Sequence, residues 1–135
     1  MGVTSRLSGE AARRYGLVLS DIQRENPKLL HAPVAAEEVR RELGVVDPDV
    51  YEAILWHTTG RPGLCTLGLA LYLADFSEPA RTHPEAAAAR EVLGRYGFTA
   101  ALLYVSEEKM KRLRNKSAPF DPATQEFHSW LREKY

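Results

Sequence analysis

The sequence predicts an all-α domain, and three observations carry that prediction. Ala and Leu number 17 each in 135 residues, against 18 for Val, Ile and Thr together. Short and unbranched side chains lose little freedom in a helix, whereas β-branched ones lose χ1 freedom there. No stretch shows the sustained apolar/polar alternation of a half-buried strand. The eight prolines and most of the nine glycines fall between segments of helical period, as punctuation. The length suits one domain, taken as residues 1–135.

Taken in order, a first helix is expected over Ser8 to Tyr15, closed by Gly16. Ser20 or Asp21 starts a short helical turn that Pro27 ends. After His31-Ala32-Pro33 a helix runs to Leu43, with Ala36, Val39 and Leu43 on one face and Gly44 as its stop. Asp47-Pro48 is an N-cap and first-turn pair for the next helix, which carries Val50, Ile54 and His57 on one face. Thr58 to Gly63 forms a loop. Leu64 to Asp75 is apolar nearly all round and is expected to be a central, buried helix. Pro79 and Pro84 mark a loop, followed by a helix to about Tyr96 and Gly97. Phe98, Leu102, Val105 and Leu113 stripe another helix, and Asp121-Pro122 opens the last, where Phe127, Trp130 and Leu131 pack inward.

Composition excludes several classes of function. Lys and Arg total 18, as do Asp and Glu, so the chain lacks the basic footprint of a nucleic-acid binder or a polybasic membrane anchor. The longest apolar stretch, Leu64 to Ala74, is 11 residues, short of a membrane span of roughly 18. Cys65 is the sole cysteine, which rules out an internal disulfide framework, and the N-terminus shows no secretory pattern. A cytoplasmic setting is expected.

Three ligating side chains fall where the pattern calls for hydrocarbon. His57 continues the Val50/Ile54 stripe, Asp75 lies one turn past Leu71 on the most apolar helix, and His31 opens a helix directly after Leu29-Leu30. A buried carboxylate is costly unless hydrogen-bonded, ion-paired or metal-bound. Imidazole and carboxylate together suit zinc or non-haem iron or manganese, although a satisfied core histidine and a capping aspartate account for the spacing as well. His57-Thr58-Thr59-Gly60-Arg61 combines hydroxyls, a glycine and a guanidinium, which can hold an oxyanion or can be an ordinary loop. His83 and His128 read as surface residues, and the run Lys109, Lys111, Arg112, Arg114, Lys116 as a solvated helix face diluted by Glu107 and Glu108.

Three blocks together carry a resemblance: Leu29-Leu30-His31-Ala32-Pro33-Val34-Ala35-Ala36; Ala53-Ile54-Leu55-Trp56-His57-Thr58-Thr59-Gly60-Arg61-Pro62; and Leu73-Ala74-Asp75-Phe76-Ser77-Glu78-Pro79-Ala80-Arg81. In order and separation they resemble the bacterial YqeK family of HD-domain phosphohydrolases. Pro119-Phe120-Asp121-Pro122-Ala123-Thr124 is similar to the start of that family's final helix. The resemblance implies a helical HD domain with two metal ions, typically iron, and symmetrical cleavage of dinucleoside tetraphosphates, diadenosine tetraphosphate giving two ADP. It further implies His31 and His57 as ligands of one ion and Asp75 of the other. Thr58, Thr59, Gly60 and Arg81 then lie around the phosphate chain, with Glu78 orienting Arg81 or its loop. The partner implied is a nucleotide.

The chain departs from the pattern at one place. The family's ligand order begins with a His and an adjacent His-Asp pair, yet no His-Asp dipeptide occurs here and no histidine precedes His31. A fragment of such an enzyme, or a shortened relative that binds nucleotide or protein without catalysis, is therefore expected ahead of a third alternative, a site rebuilt by pairing with another chain. Both would leave apolar surface that self-association could cover.

Overall fold

The computed structural model describes residues 3–116 and 120–135, with side chains from residue 9; Pro119 lies outside the described residues. Eight α-helices and no strand are found among them: α1 (Val3–Arg14), α2 (Asp21–Glu25), α3 (His31–Glu42), α4 (Pro48–Trp56), α5 (Thr66–Ser77), α6 (Pro84–Tyr96), α7 (Phe98–Lys116) and α8 (Pro122–Lys134). A 3-10 turn over Pro27–Leu30 leads directly into α3. The all-α expectation holds.

Local chemistry sets most boundaries. Asp47 caps α4 by accepting from the amides of Asp49 and Val50, and Asp121 caps α8 by accepting from Ala123. Each is followed by proline, whose missing amide costs nothing in a first turn. Ser20 and Gln23 close a reciprocal capping box on α2. Gly16 and Gly44 end their helices with positive φ.

The apolar side chains gather in two clusters. Ala12, Tyr15, Leu30 and Val34 form a small one among α1, the 3-10 turn and α3. The larger one draws Leu69, Tyr72, Leu73 and Phe76 from α5, Ala89 from α6, Ala101, Leu102 and Val105 from α7, and Phe127 and Leu131 from α8. Helix α4 packs on both α3 and α5 and so joins the two halves. Glu37, buried on α3, supplies a polar fastening at that join. Its carboxylate accepts from Tyr51 of α4 at 2.6 Å and from Arg40 and Arg41 at 2.6 and 2.8 Å, while Arg41 also donates to the Tyr15 carbonyl at 3.1 Å. The Tyr51 hydroxyl foremost, with the two arginines, holds the Glu37 carboxyl below its ordinary range.

Four expectations are corrected. The first helix begins at Val3 rather than Ser8. The central helix runs Thr66–Ser77 and is not buried all round: Leu67, Ala70 and Ala74 face outward, away from the side on which α4, α6, α7 and Phe127 of α8 pack. Leu43 does not join the core of α3; it is 70% exposed just beyond the helix end. His83 and His128 are not surface residues. His83 is half-buried, accepts the Ala86 amide at the start of α6 and packs edge-on against Phe76. His128 is buried on α8, 3.0 Å from the Ser106 hydroxyl and 3.1 Å from Glu107 on α7. Burial pushes its imidazole below the usual histidine value.

Candidate functional site

His31 begins α3 and His57 closes α4, and the packing of those helices brings the two rings edge-on with centroids 5.8 Å apart. His31 is exposed and His57 buried. The His57 Nδ1 lies 2.6 Å from the Ile54 carbonyl, a bond that requires the proton on Nδ1 and leaves Nε2 as the acceptor. A backbone carbonyl accepting from one ring nitrogen commonly fixes the tautomer of a ligating imidazole. The Thr58 hydroxyl is 3.4 Å from that Nε2.

Asp75 sits near the end of α5, half-buried. Arg81 folds back onto it: Nη2 donates to the Asp75 carboxylate at 3.0 Å and Nε to its backbone carbonyl at 3.1 Å. Glu78 lies 4.0 Å from the same guanidinium. Arg90 closes this corner by donating to the carbonyls of Ser77 and Glu78, so the end of α5 is tied to α6. The ligand atoms of His31, His57 and Asp75 do not gather as one group. Among the described residues the three-donor grouping within 4.8 Å is Asp49, Glu52 and Cys65, which includes none of them. The two imidazoles stand together, and the carboxylate stands apart on its arginine.

The Thr58-Thr59-Gly60 segment leaves α4 beside a cavity of about 260 Å³, lined by Thr58, Thr59, Lys109, Arg112, Lys116 and Phe120 among others. A neighbouring cavity of about 260 Å³ shares Leu29, Thr58, Thr59 and Asp121 with it and is walled by Trp56 and Leu55. The structure supplies a packing reason for Gly60. It is buried with φ of +74°, and a Cβ there would come 2.2 Å from the Phe127 ring. The Thr59 hydroxyl donates to the Gly60 carbonyl, and Arg61 stacks over Trp56.

The basic run on α7 is not a uniform solvated face. Lys111 and Arg114 pair with Glu108 and Glu107. Lys109 turns inward: its Nζ donates to the Thr58 carbonyl at 2.6 Å and lies 4.0 Å from the centre of the Tyr72 ring. Burial pushes its ammonium down to about 7, against an attraction to Asp75. Sequence reasoning missed Lys109, Arg112 and Lys116 as a set. Their spacing of three and four residues, which puts all three on one helix face, was the available signal.

An all-helical bundle with paired histidines at the junction of α3 and α4, and a carboxylate closing α5, is the architecture of an HD-type hydrolase. The crystal structure at 1.50 Å of a predicted HD superfamily hydrolase involved in NAD metabolism from Clostridium acetobutylicum matches it. The TM-score is 0.85 at 27% identity, covering 97% of this chain and 69% of that one. Among curated proteins, the symmetrical bis(5'-nucleosyl)-tetraphosphatase of Bacillus subtilis is 41% identical over 106 residues, 78% of this chain and 56% of its own length. Proteins of the same name from Halalkalibacterium halodurans and Staphylococcus aureus are 46% and 36% identical over 71 and 75 residues, each spanning 53–56% of this chain and 38% of the relative. The chain thus spans little more than half the length of the Bacillus subtilis relative. No protein-family model matches it. The resemblance read from the three motifs is borne out: this chain is a homologue of those tetraphosphatases. No helix among the described residues is long and apolar enough to cross a membrane.

Proposed function

We propose that the chain is the ligand-bearing part of a metal-dependent phosphohydrolase that cleaves dinucleoside tetraphosphates symmetrically. Water adds across the central P–O–P bridge, so diadenosine tetraphosphate yields two ADP. The observation that carries this reading is the edge-on His31/His57 pair, with the His57 tautomer set by the Ile54 carbonyl and the next residue, Thr58, lining a cationic cavity. The names of the three relatives support the substrate class.

In this reading His31 and His57 hold one divalent ion, iron by the family resemblance, and Asp75 belongs to a second. A bound divalent ion supplies a water of lowered pKa and neutralises phosphate charge. Thr58 and Thr59 offer hydroxyls to phosphate oxygens, Gly60 lets the backbone turn past Phe127, and Arg81 exchanges Asp75 for the anionic chain, with Glu78 steadying it. The balanced charge and lone cysteine suit a cytoplasmic enzyme whose phosphate affinity is local. Val18 and Val46, 97% and 76% exposed, are apolar side chains that self-association would cover.

One observation favours a second reading. No His-Asp dipeptide is present, and Asp75 is satisfied by Arg81. That set suits a nucleotide-binding module without turnover. Incubating the purified chain with Fe(II) or Mn(II) and diadenosine tetraphosphate separates the two. The enzyme reading expects ADP release that His57→Ala abolishes. Absence of ADP above a metal-only control refutes catalysis by this chain. Chelator-insensitive nucleotide binding lost in Arg81→Ala then supports the module.

A further inference from the structure

We propose that Lys109, with Arg112 and Lys116 along the same face of α7, forms a metal-independent anion subsite that takes a phosphate group of a nucleoside polyphosphate. The inference rests on the nucleotide reading above but concerns a different set of side chains from His31, His57 and Asp75.

Three independent features meet there. Positions 109, 112 and 116 follow a helical period, so the three cations share one face, and all three line the 260 Å³ cavity. One carboxylate, Asp121, also lines it, but that group is committed to the Ala123 amide at 2.9 Å as the cap of α8. Lys109 itself is enclosed, yet no carboxylate among the described residues lies within ion-pair distance of its ammonium. Its hydrogen bond is to the neutral Thr58 carbonyl, and Tyr72 and Phe76 present their ring faces at 4.0 and 6.0 Å. Asp75 attracts the ammonium from beyond ion-pair distance but is itself held by Arg81, so this half-buried cation is only partly compensated, which is unfavourable unless an anion arrives. Arg112 is half-engaged by Glu85 at 3.4 Å and His83 at 3.1 Å, which orients its guanidinium beside Phe76 rather than neutralising the cavity. Thr58 and Thr59 also line the cavity, and Phe120 and Leu113 give the apolar contact a nucleoside would use. The depressed basicity of Lys109 agrees with a site built to be completed by an anion.

The test is calorimetric titration of the full chain with inorganic pyrophosphate, ADP and adenosine, in EDTA and a phosphate-free buffer. Pyrophosphate and ADP are expected to bind and adenosine to bind far more weakly. Lys109→Met should weaken pyrophosphate about tenfold or more, because a charge-assisted hydrogen bond is lost, whereas Lys109→Arg should stay within about threefold. Arg112→Gln and Lys116→Gln, at less enclosed positions, should each weaken it several-fold. Pyrophosphate affinity unaltered in a natively folded Lys109→Met, or adenosine binding as tightly as ADP, overturns the subsite. Failure of the hydrolysis assay with metal would leave this result standing, since binding is read without metal or turnover.

Discussion

Replacing Lys109 by methionine should change how stability depends on pH. Methionine keeps the length and apolar stem of the side chain and removes the charge. In the unfolded chain the lysine titrates at its ordinary 10.5, and in the folded protein burial brings it down to about 7. Between those values the unfolded state binds a proton that the folded state does not, so stability rises with pH by about 1.4 kcal/mol per pH unit. Below about pH 7 both states are protonated and the penalty is constant, at most about 5 kcal/mol. The Thr58 carbonyl and the Tyr72 ring offset part of it, by about 1–3 kcal/mol together. Urea denaturation of wild type and Lys109→Met in phosphate-free buffer measures the difference directly. The gap should move in favour of wild type by about 2–3 kcal/mol between pH 7 and pH 9. Saturating pyrophosphate should flatten that slope by keeping the lysine protonated. Parallel curves, with the gap constant to about 0.5 kcal/mol, would refute the reasoning.

Other substitutions test other parts of the molecule. Gly60→Ala should cost about 3 kcal/mol or more by urea midpoint, since its Cβ meets the Phe127 ring at a positive φ. Gly44→Ala, also at positive φ but in open space, should cost only about 1 kcal/mol. Glu37→Gln should lose about 2–4 kcal/mol at pH 7, because Arg40, Arg41 and Tyr51 share that carboxylate. Since the Glu37 carboxyl is held low, its contribution is present at neutral pH and lost as pH falls through its folded-state value, so the mutant and wild type should converge in acid. His128→Phe removes the bonds to Ser106 and Glu107 and should destabilise by about 1–3 kcal/mol, visible as a lowered melting temperature.

How much of this was legible beforehand follows from the range of the forces involved. Caps and stops were readable because they act within four residues: Asp47-Pro48, Asp121-Pro122 and Gly44 all mark helix ends where the structure has them. The His31, His57 and Asp75 blocks were readable as motifs, and the six-residue spacing already puts the Arg81 guanidinium near Asp75; its second bond, to the Asp75 backbone carbonyl, depends on how the loop after α5 folds back. His128 was misjudged because its burial is decided by α7, 22 residues earlier in the chain, whose Ser106 and Glu107 receive it. The same holds for Lys109, whose neighbours Lys111 and Arg114 look identical in a local window yet point to solvent. Leu43 and Leu67 show the converse error. Apolar character predicts burial only where another element arrives to provide it.

The Glu37–Tyr51 hydrogen bond carries a consequence for the edge where His31 meets His57. Six residues separate Glu37 from His31 on α3, and six separate Tyr51 from His57 on α4, in the opposite chain direction. Two antiparallel rods are thus pinned at one level and gauged at another about 9 Å away, at 1.5 Å of rise per residue. They behave as the arms of a caliper with equal reach. Inserting or deleting a single residue in either arm would swing one imidazole by about 100° around its axis. Only an insertion of about seven residues in each arm, close to two full turns, would lengthen the reach and keep both imidazoles facing each other.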